Sequence, residues 1–274
     1  MTAAAIRVAG HFGELLQGRI GRDGPVALVT LPCPALSLGG WHLPGPGLAV
    51  HGGGQRLITP ERARRFLGSL GLTLGGRVVL RACMPAGGGG GASTAALLAL
   101  AGLAGYRGAP EDLAHACIEA EGASDPLMFD RPERLLWASR RGRVLEALPP
   151  VPRFDVIGGF YGPDRRTEAG DASFPDISDL LADWRGATRA GDATAAAAVA
   201  SVSARRTLAM RGPSDDPTER LAGDLGALGF AIAHTGSARA LLFAPGRIAP
   251  DAPAALRRAG IRAVLRFSVG KERP

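Results

Sequence analysis

"MPAGGGGGASTAALLALAG", residues 84–102, decides how the rest of the chain is read. Five consecutive glycines, Gly87 to Gly91, follow Pro85 and run straight into a small-residue apolar stretch that predicts a helix from Ser93 to Leu103. A helix N-terminus leaves backbone N–H groups without partners and carries partial positive charge, so it can hold an anion without any lysine. Glycines ahead of it allow positive φ and let successive amides converge into a concave nest, with no Cβ in the way of a ligand. Ser93 and Thr94 at its mouth add hydroxyls suited to a phosphate oxygen or a magnesium ion. Two other readings of the same residues stay open at this level. Gly87-x-Gly89-x-x-Ala92 formally matches a dinucleotide-binding fingerprint, although Met84-Pro85-Ala86 separates it from the preceding strand. A flexible glycine loop with no ligand is the other.

Working outward, short β-like runs at Ile6–Ala9, Val26–Leu31, Leu48–Val50 and Arg77–Ala82 are bounded by Gly and Pro. Thr59 and Pro60 open a helix to Leu70, and Pro110–Glu121 predicts another with acidic residues in its first turn. Short apolar pieces follow at Leu135–Ala138 and Val144–Leu148. The segment "LPPVPR", Leu148–Arg153, then interrupts both helix and sheet patterns and divides the chain into 1–150 and 151–274. Beyond it the sequence predicts strands at Phe154–Phe160, Gly229–Ala233, Ala240–Ala244 and Ala263–Phe267. Helices are expected at Ile177–Thr188, Ala193–Met210, Thr218–Ala227 and Ala252–Arg258. Mixed elements in both halves make the fold class α+β.

Composition narrows the function. The chain of 274 residues has 32 Lys+Arg against 25 Asp+Glu, a formal charge of +7, which suits an anionic partner. The arginines occur in scattered pairs such as Arg140-Arg141 and Arg205-Arg206, without interleaved aromatics, zinc-finger spacing or an RNA-binding signature, so no nucleic acid is expected. Lys271 is the only lysine, which excludes a Walker A loop and a protein-kinase strand lysine. Cys33, Cys83 and Cys117 are isolated and read as apolar residues of a reducing compartment. No secretion signal or membrane span is apparent, so the cytoplasm is the expected location.

Four segments carry a resemblance. Pro85–Ala95 reads P-x-G-x-G-x-x-x-S-T-A; "GHFGELLQGRI" (Gly10–Ile20) lies before it, and "SDPLMF" (Ser124–Phe129) and "GFAIAHTGSARALLF" (Gly229–Phe243) after it. Together they resemble the GHMP small-molecule kinases, closest to the L-threonine kinases of cobalamin biosynthesis. The resemblance implies an N-terminal ATP-binding domain of the ribosomal S5 domain 2-like type, with a left-handed βαβ crossover, and a C-terminal ferredoxin-like α/β sandwich. It implies ATP and Mg²⁺, a small-molecule acceptor, no membrane partner, and compatibility with a homodimer. The activity implied is transfer of the γ-phosphoryl group of ATP to the hydroxyl of L-threonine, giving O-phospho-L-threonine. Homoserine or another hydroxylated metabolite is the neighbouring reading, and a nucleotide- or metabolite-binding protein without catalysis is a reading of a different class.

Carried over by position, Gly87, Gly88, Gly89, Gly90, Gly91, Ala92, Ser93 and Thr94 form the phosphate loop. Asp125 is the candidate base or metal partner. Gly13, Glu14 and Gln17 fall on the substrate side, as do His234, Thr235, Gly236 and Ser237 of the third motif. Ser93 and Glu121 are the candidate metal residues. Two departures stand out: Ala92 replaces the first of a paired Ser-Ser, and Gly122 sits where a glutamate belongs, with Glu121 one residue early, a shift that turns a helical side chain by about 100°. Blander roles remain open for single residues: a solvated turn carboxylate for Glu14, a core histidine for His234, a turn former for Asp125 and a turn hydroxyl for Ser237.

Overall fold

The computed structural model describes residues 4–165, 170, 171 and 173–270. The first part of the chain builds β1 (Ala4–Arg19), β2 (Val26–Leu43), β3 (Leu48–His51), α1 (Pro60–Ser69), β4 (Gly76–Ala82), α2 (Ala92–Leu103), α3 (Pro110–Glu121), β5 (Leu135–Ala138) and β6 (Arg143–Ala147). The second part builds β7 (Phe154–Phe160), α4 (Leu180–Ala190), α5 (Ala193–Arg211), α6 (Thr218–Asp224), β8 (Gly229–Ile232), β9 (Ala238–Phe243), α7 (Ala252–Arg258) and β10 (Arg262–Val269).

One sheet runs through both parts in the order β10-β7-β9-β8-β1-β2-β4-β3, with the β5–β6 hairpin attached to β2. The stretch β10-β7-β9-β8 is antiparallel, with α4–α6 bridging β7 to β8 and α7 bridging β9 to β10, which is the ferredoxin-like arrangement. On the other side β3 and β4 pair in parallel across α1, forming the βαβ unit. The two parts meet where β1 pairs with β8, at Glu14 opposite Ile232.

The first two strands are far longer than Ile6–Ala9 and Val26–Leu31. Irregular pairing explains why their patterns were broken. Ala9 pairs with Ser37 but Gly10 with Cys33, so residues 34–36 of β2 bulge out and Pro34 is tolerated there. Further register shifts fall between His11 and Glu14 and between Glu14 and Leu16. From Gly10 to Gly18, β1 is buried throughout, polar His11, Glu14 and Gln17 included, so no polar–apolar alternation marks it. Three element ends also move by a few residues: α4 begins at Leu180 after a turn at 178–179, α6 ends at Asp224, and β9 begins at Ala238.

The main core extends across both parts, joining Phe12, Leu31 and Leu97 to Phe154, Trp184 and Ala240. Helix α2 is buried from Thr94 to Ala101, with no polar face, which is why its sequence is small and apolar rather than amphipathic. Among the described residues no helix is long and apolar enough to cross a membrane.

Candidate active site

The glycine run is a built structure. The carbonyls of Gly87, Gly88, Gly89 and Gly90 accept from the amides of Arg165, Ala238, Gly13 and His11, at 2.9–3.2 Å, and that of Gly91 accepts from Ala95. Turning the carbonyls into the protein leaves the amides of Gly89, Gly90, Gly91, Ala92 and Ser93 without a partner among the described residues. Gly87, Gly89 and Gly91 have φ of 84°, 79° and 76°, alternating with Gly88 and Gly90, which is how a backbone nest is made. A Cβ at Gly89 would lie 2.2 Å from Cβ of Ala233. The bareness of the stretch is therefore both conformational and steric. Gly91 caps α2 with no side-chain bond, so the first turn of the helix opens onto the same place.

A cleft of about 300 Å³ lies over this loop. Its walls include Gly87, Gly89, Gly90, Gly91, Ala92, Ser93 and Thr94, together with Glu14, Glu121, Asp125, His234, Thr235 and Gly236. Gly88 and Gly13 stand behind the wall, Gly13 with φ of 75° pressed against the backbone of Ile232 and Ala233. Two expected residues sit elsewhere. Gln17 is fully buried, donating to the carbonyl of Ile232 at 3.0 Å while its amide donates to Ser203. Ser237 donates to Asp164 at 2.5 Å and anchors its turn.

His11, absent from the sequence-derived set, is at the centre of the cleft. Its Nε2 lies 3.4 Å from Oδ2 of Asp125 and its Nδ1 lies 3.4 Å from Oε1 of Glu14. Asp125 is held from the other side by Thr94, whose hydroxyl donates to Oδ2 and accepts from the Asp125 amide, both at 3.2 Å. Burial opposes charge on His11, but the facing carboxylates of Asp125 and Glu14 win and raise its pKa to about 9. Glu14, 3% exposed, is pushed up to about 8 by burial against the pull of His11. Burial would raise Asp125 as well, yet His11 and Thr94 hold it below the usual carboxylate value. At neutral pH the trio is imidazolium, carboxylate and a mostly protonated Glu14. The available signal was spacing: His11 precedes Glu14 by three residues inside one motif.

Glu121 meets the start of α2. Helix α3 ends at Glu121, with Gly122 left-handed at its C-cap, and the Ser93 hydroxyl donates to the Glu121 carboxylate. Arg62 lies 3.6 Å from the other carboxylate oxygen. Ala92 is 5% exposed, packed into the core at the position of the missing hydroxyl. At the other end, His234 stacks on Phe174 at 4.1 Å and receives Arg211 on Nε2 at 2.7 Å. Arg140 lies over the Phe174 ring at 5.3 Å, and Arg56, Arg62 and Arg165 also line the cleft. Arginines, scattered in sequence, supply the positive lining that lysines do not.

No protein-family model matches the sequence, and no curated protein matches it. Solved structures do match. Leishmania major mevalonate kinase in complex with R-mevalonate aligns over 99% of this chain and 98% of its own, at 14% identity and a TM-score of 0.67. Streptococcus pneumoniae phosphomevalonate kinase aligns over 99% and 100%, at 12% identity and 0.67. Homoserine kinase from Cytophaga hutchinsonii aligns over 98% and 96%, at 17% identity and 0.60. With a ferredoxin-like part and a βαβ part sharing one sheet, the chain has the α+β fold of the GHMP kinases.

Proposed function

We propose that this protein is an ATP-dependent small-molecule kinase that phosphorylates a hydroxyl group, with L-threonine as the acceptor. The observation that carries the reading is the juxtaposition of five unpartnered amides at the start of α2 with a buried His11–Asp125 pair across one cleft. The threonine assignment is supported by the four motif segments; the acceptors of the structural neighbours, mevalonate among them, differ between proteins.

In this reading the amides of Gly89 to Ser93 receive phosphate oxygens, and the arginines lining the cleft oppose their charge. Asp125, ionised because His11 faces it, takes the hydroxyl proton of the acceptor and orients that oxygen for attack. His11 touches the reacting carboxylate and fixes its charge. Phosphoryl transfer needs positioning and charge neutralisation more than covalent chemistry, and a rigid nest tied to β1 and β9 supplies the positioning. The Ser93 hydroxyl and Glu121 carboxylate, brought together at the mouth of the nest, fit a hard cation and would hold Mg²⁺. When bound, Mg²⁺ supplies charge neutralisation between phosphate oxygens. That pairing also favours catalysis over the non-catalytic reading.

The test is ADP and phospho-amino-acid formation with Mg-ATP and L-threonine, L-serine, L-homoserine or no acceptor. Threonine-dependent O-phosphothreonine is expected, and Asp125→Asn should lower kcat by about 10²–10⁴-fold. No acceptor-dependent ADP from a folded protein that ATP still stabilises would sink the reading.

A further inference from the structure

Among the described residues, Glu14, His234 and Thr235 of the cleft each carry a buried polar atom without a partner, and those of Glu14 and His234 are of different kinds. Oε2 of Glu14 is buried and accepts no hydrogen bond. Nδ1 of His234, in a side chain 11% exposed, is buried and unpartnered as well. The tautomer of His234 follows from its other nitrogen. Arg211 has only donors, so Nε2 accepts from it, and a neutral ring must then carry its proton on Nδ1. Burial and the adjacent Arg211 keep the ring neutral, its pKa near 3. His234 therefore presents an N–H donor, and Glu14 a carboxyl oxygen that becomes a full acceptor once the group loses its proton, and neither has a partner among the described residues. Both line the same cleft, and the chain runs between them over a short path: Glu14 is opposite Ile232 in the β1–β8 pair, and His234 lies two residues beyond Ile232.

The remaining unpartnered groups have other settings. Gln17 Oε1, Thr30 Oγ1 and Trp184 Nε1 belong to fully buried residues off the cleft. Thr235 Oγ1 adjoins Gly236, which packs on Gly88 and Gly89, so it belongs with the phosphate loop.

We propose that Glu14 and His234 are the specificity residues of the acceptor subsite: Glu14 receives an ammonium group and the Nδ1–H of His234 a carboxylate oxygen, selecting a zwitterionic hydroxy-amino acid. The inference rests on the kinase reading for the place of the hydroxyl at Asp125, but its test needs no turnover. An unpaired buried acceptor or donor is costly, so a ligand that completes both gains affinity that one completing a single group does not. Glu14 faces His11 on its own strand, Thr30 on β2 and Asp125 from the segment after α3. Burial keeps a proton on it. An arriving ammonium favours the ionised carboxylate, so that proton leaves to solvent while the ammonium keeps its own.

Calorimetric titration at pH 7, in two buffers of different ionisation enthalpy, tests this. L-Threonine, 3-hydroxybutyrate (no amine) and L-threoninol (no carboxylate) are each titrated with and without a non-hydrolysable ATP analogue. L-Threonine should bind with release of close to one proton, and each analogue about tenfold more weakly or worse. Glu14→Gln should abolish the proton release and most of the preference over 3-hydroxybutyrate. His234→Phe, which preserves the stack on Phe174, should remove the preference over L-threoninol. Equal binding of the three ligands, no binding under either condition, or proton release surviving Glu14→Gln would overturn the inference. Selective threonine binding without phosphothreonine formation would instead overturn the kinase reading and leave this one standing. Turnover with discrimination unchanged in Glu14→Gln does the reverse.

Discussion

Raising the pH from 6.5 to 9 should unfold this protein progressively more easily, and His11 is the reason. Its pKa is about 9 in the fold against an ordinary 6.5, because Asp125 and Glu14 face a ring only 4% exposed. A group whose pKa is raised by folding contributes stability that is complete below its unfolded value and lost as pH climbs through its folded value. The step from 6.5 to about 9 corresponds to about 3 kcal/mol at 1.36 kcal/mol per pH unit. Glu14, raised from 4.5 to about 8 by burial, acts in the same direction over the lower part of the window. Cys33, held up at about 11, adds to the loss only above pH 9. His234, lowered to about 3, has its effect below pH 6.5 and leaves the window alone. For a chain of this size, about 2 °C of Tm per kcal/mol gives a fall of about 6 °C from His11 alone, to which Glu14 adds. Thermal denaturation at half-unit pH intervals measures it, and an NMR titration of the His11 ring locates the group. His11→Gln should make the fall shallower, leaving the part that Glu14 contributes. A Tm that stays constant or rises from pH 6.5 to 9 would refute the assignment of a buried imidazolium between two carboxylates.

Other perturbations separate the parts of the site. Gly89→Ala imposes a positive φ on an L-residue and drives a Cβ to 2.2 Å from that of Ala233. A loss of about 2–4 kcal/mol by denaturant unfolding is expected, with ATP affinity lower by at least about tenfold; an ATP affinity matching wild type would show that the nest does not hold phosphate. Glu121→Gln should raise the Mg²⁺ concentration needed for half-maximal turnover by about tenfold with little change in Tm, measured by metal titration at fixed ATP. Arg239→Met removes a guanidinium that pairs with Asp216 at 2.7 Å, both side chains 5% exposed or less, and donates to the carbonyls of Gly236 and Ala238. Leaving Asp216 buried and unpaired should cost about 3–5 kcal/mol in chemical denaturation. A change below 1 kcal/mol would mean that the pair does not anchor the third-motif turn.

The amino-acid order carried the class of fold and most of its parts. Residues 84–102 announce a bare loop entering an apolar helix because glycine, proline and small residues act through local backbone geometry, and local geometry is written in local sequence. Elements such as α1, with Thr59 as cap and Pro60 at its first position, are legible for the same reason. The extent of β1 and β2 was not, since bulges at residues 9–16 and 34–36 break the period by which strands are recognised. Nor was the role of His11, whose chemistry comes from two carboxylates that are local and distant respectively, Glu14 three residues away and Asp125 more than a hundred. Glu121 looked misplaced by one residue on an ideal helix; only the end of α3 at that residue brings its carboxylate to Ser93. Sequence alone determined what each short segment can do with its own backbone. The tertiary structure decided which side chains share a low-dielectric cleft, and burial together with facing charges then set their protonation, which no linear spacing encodes.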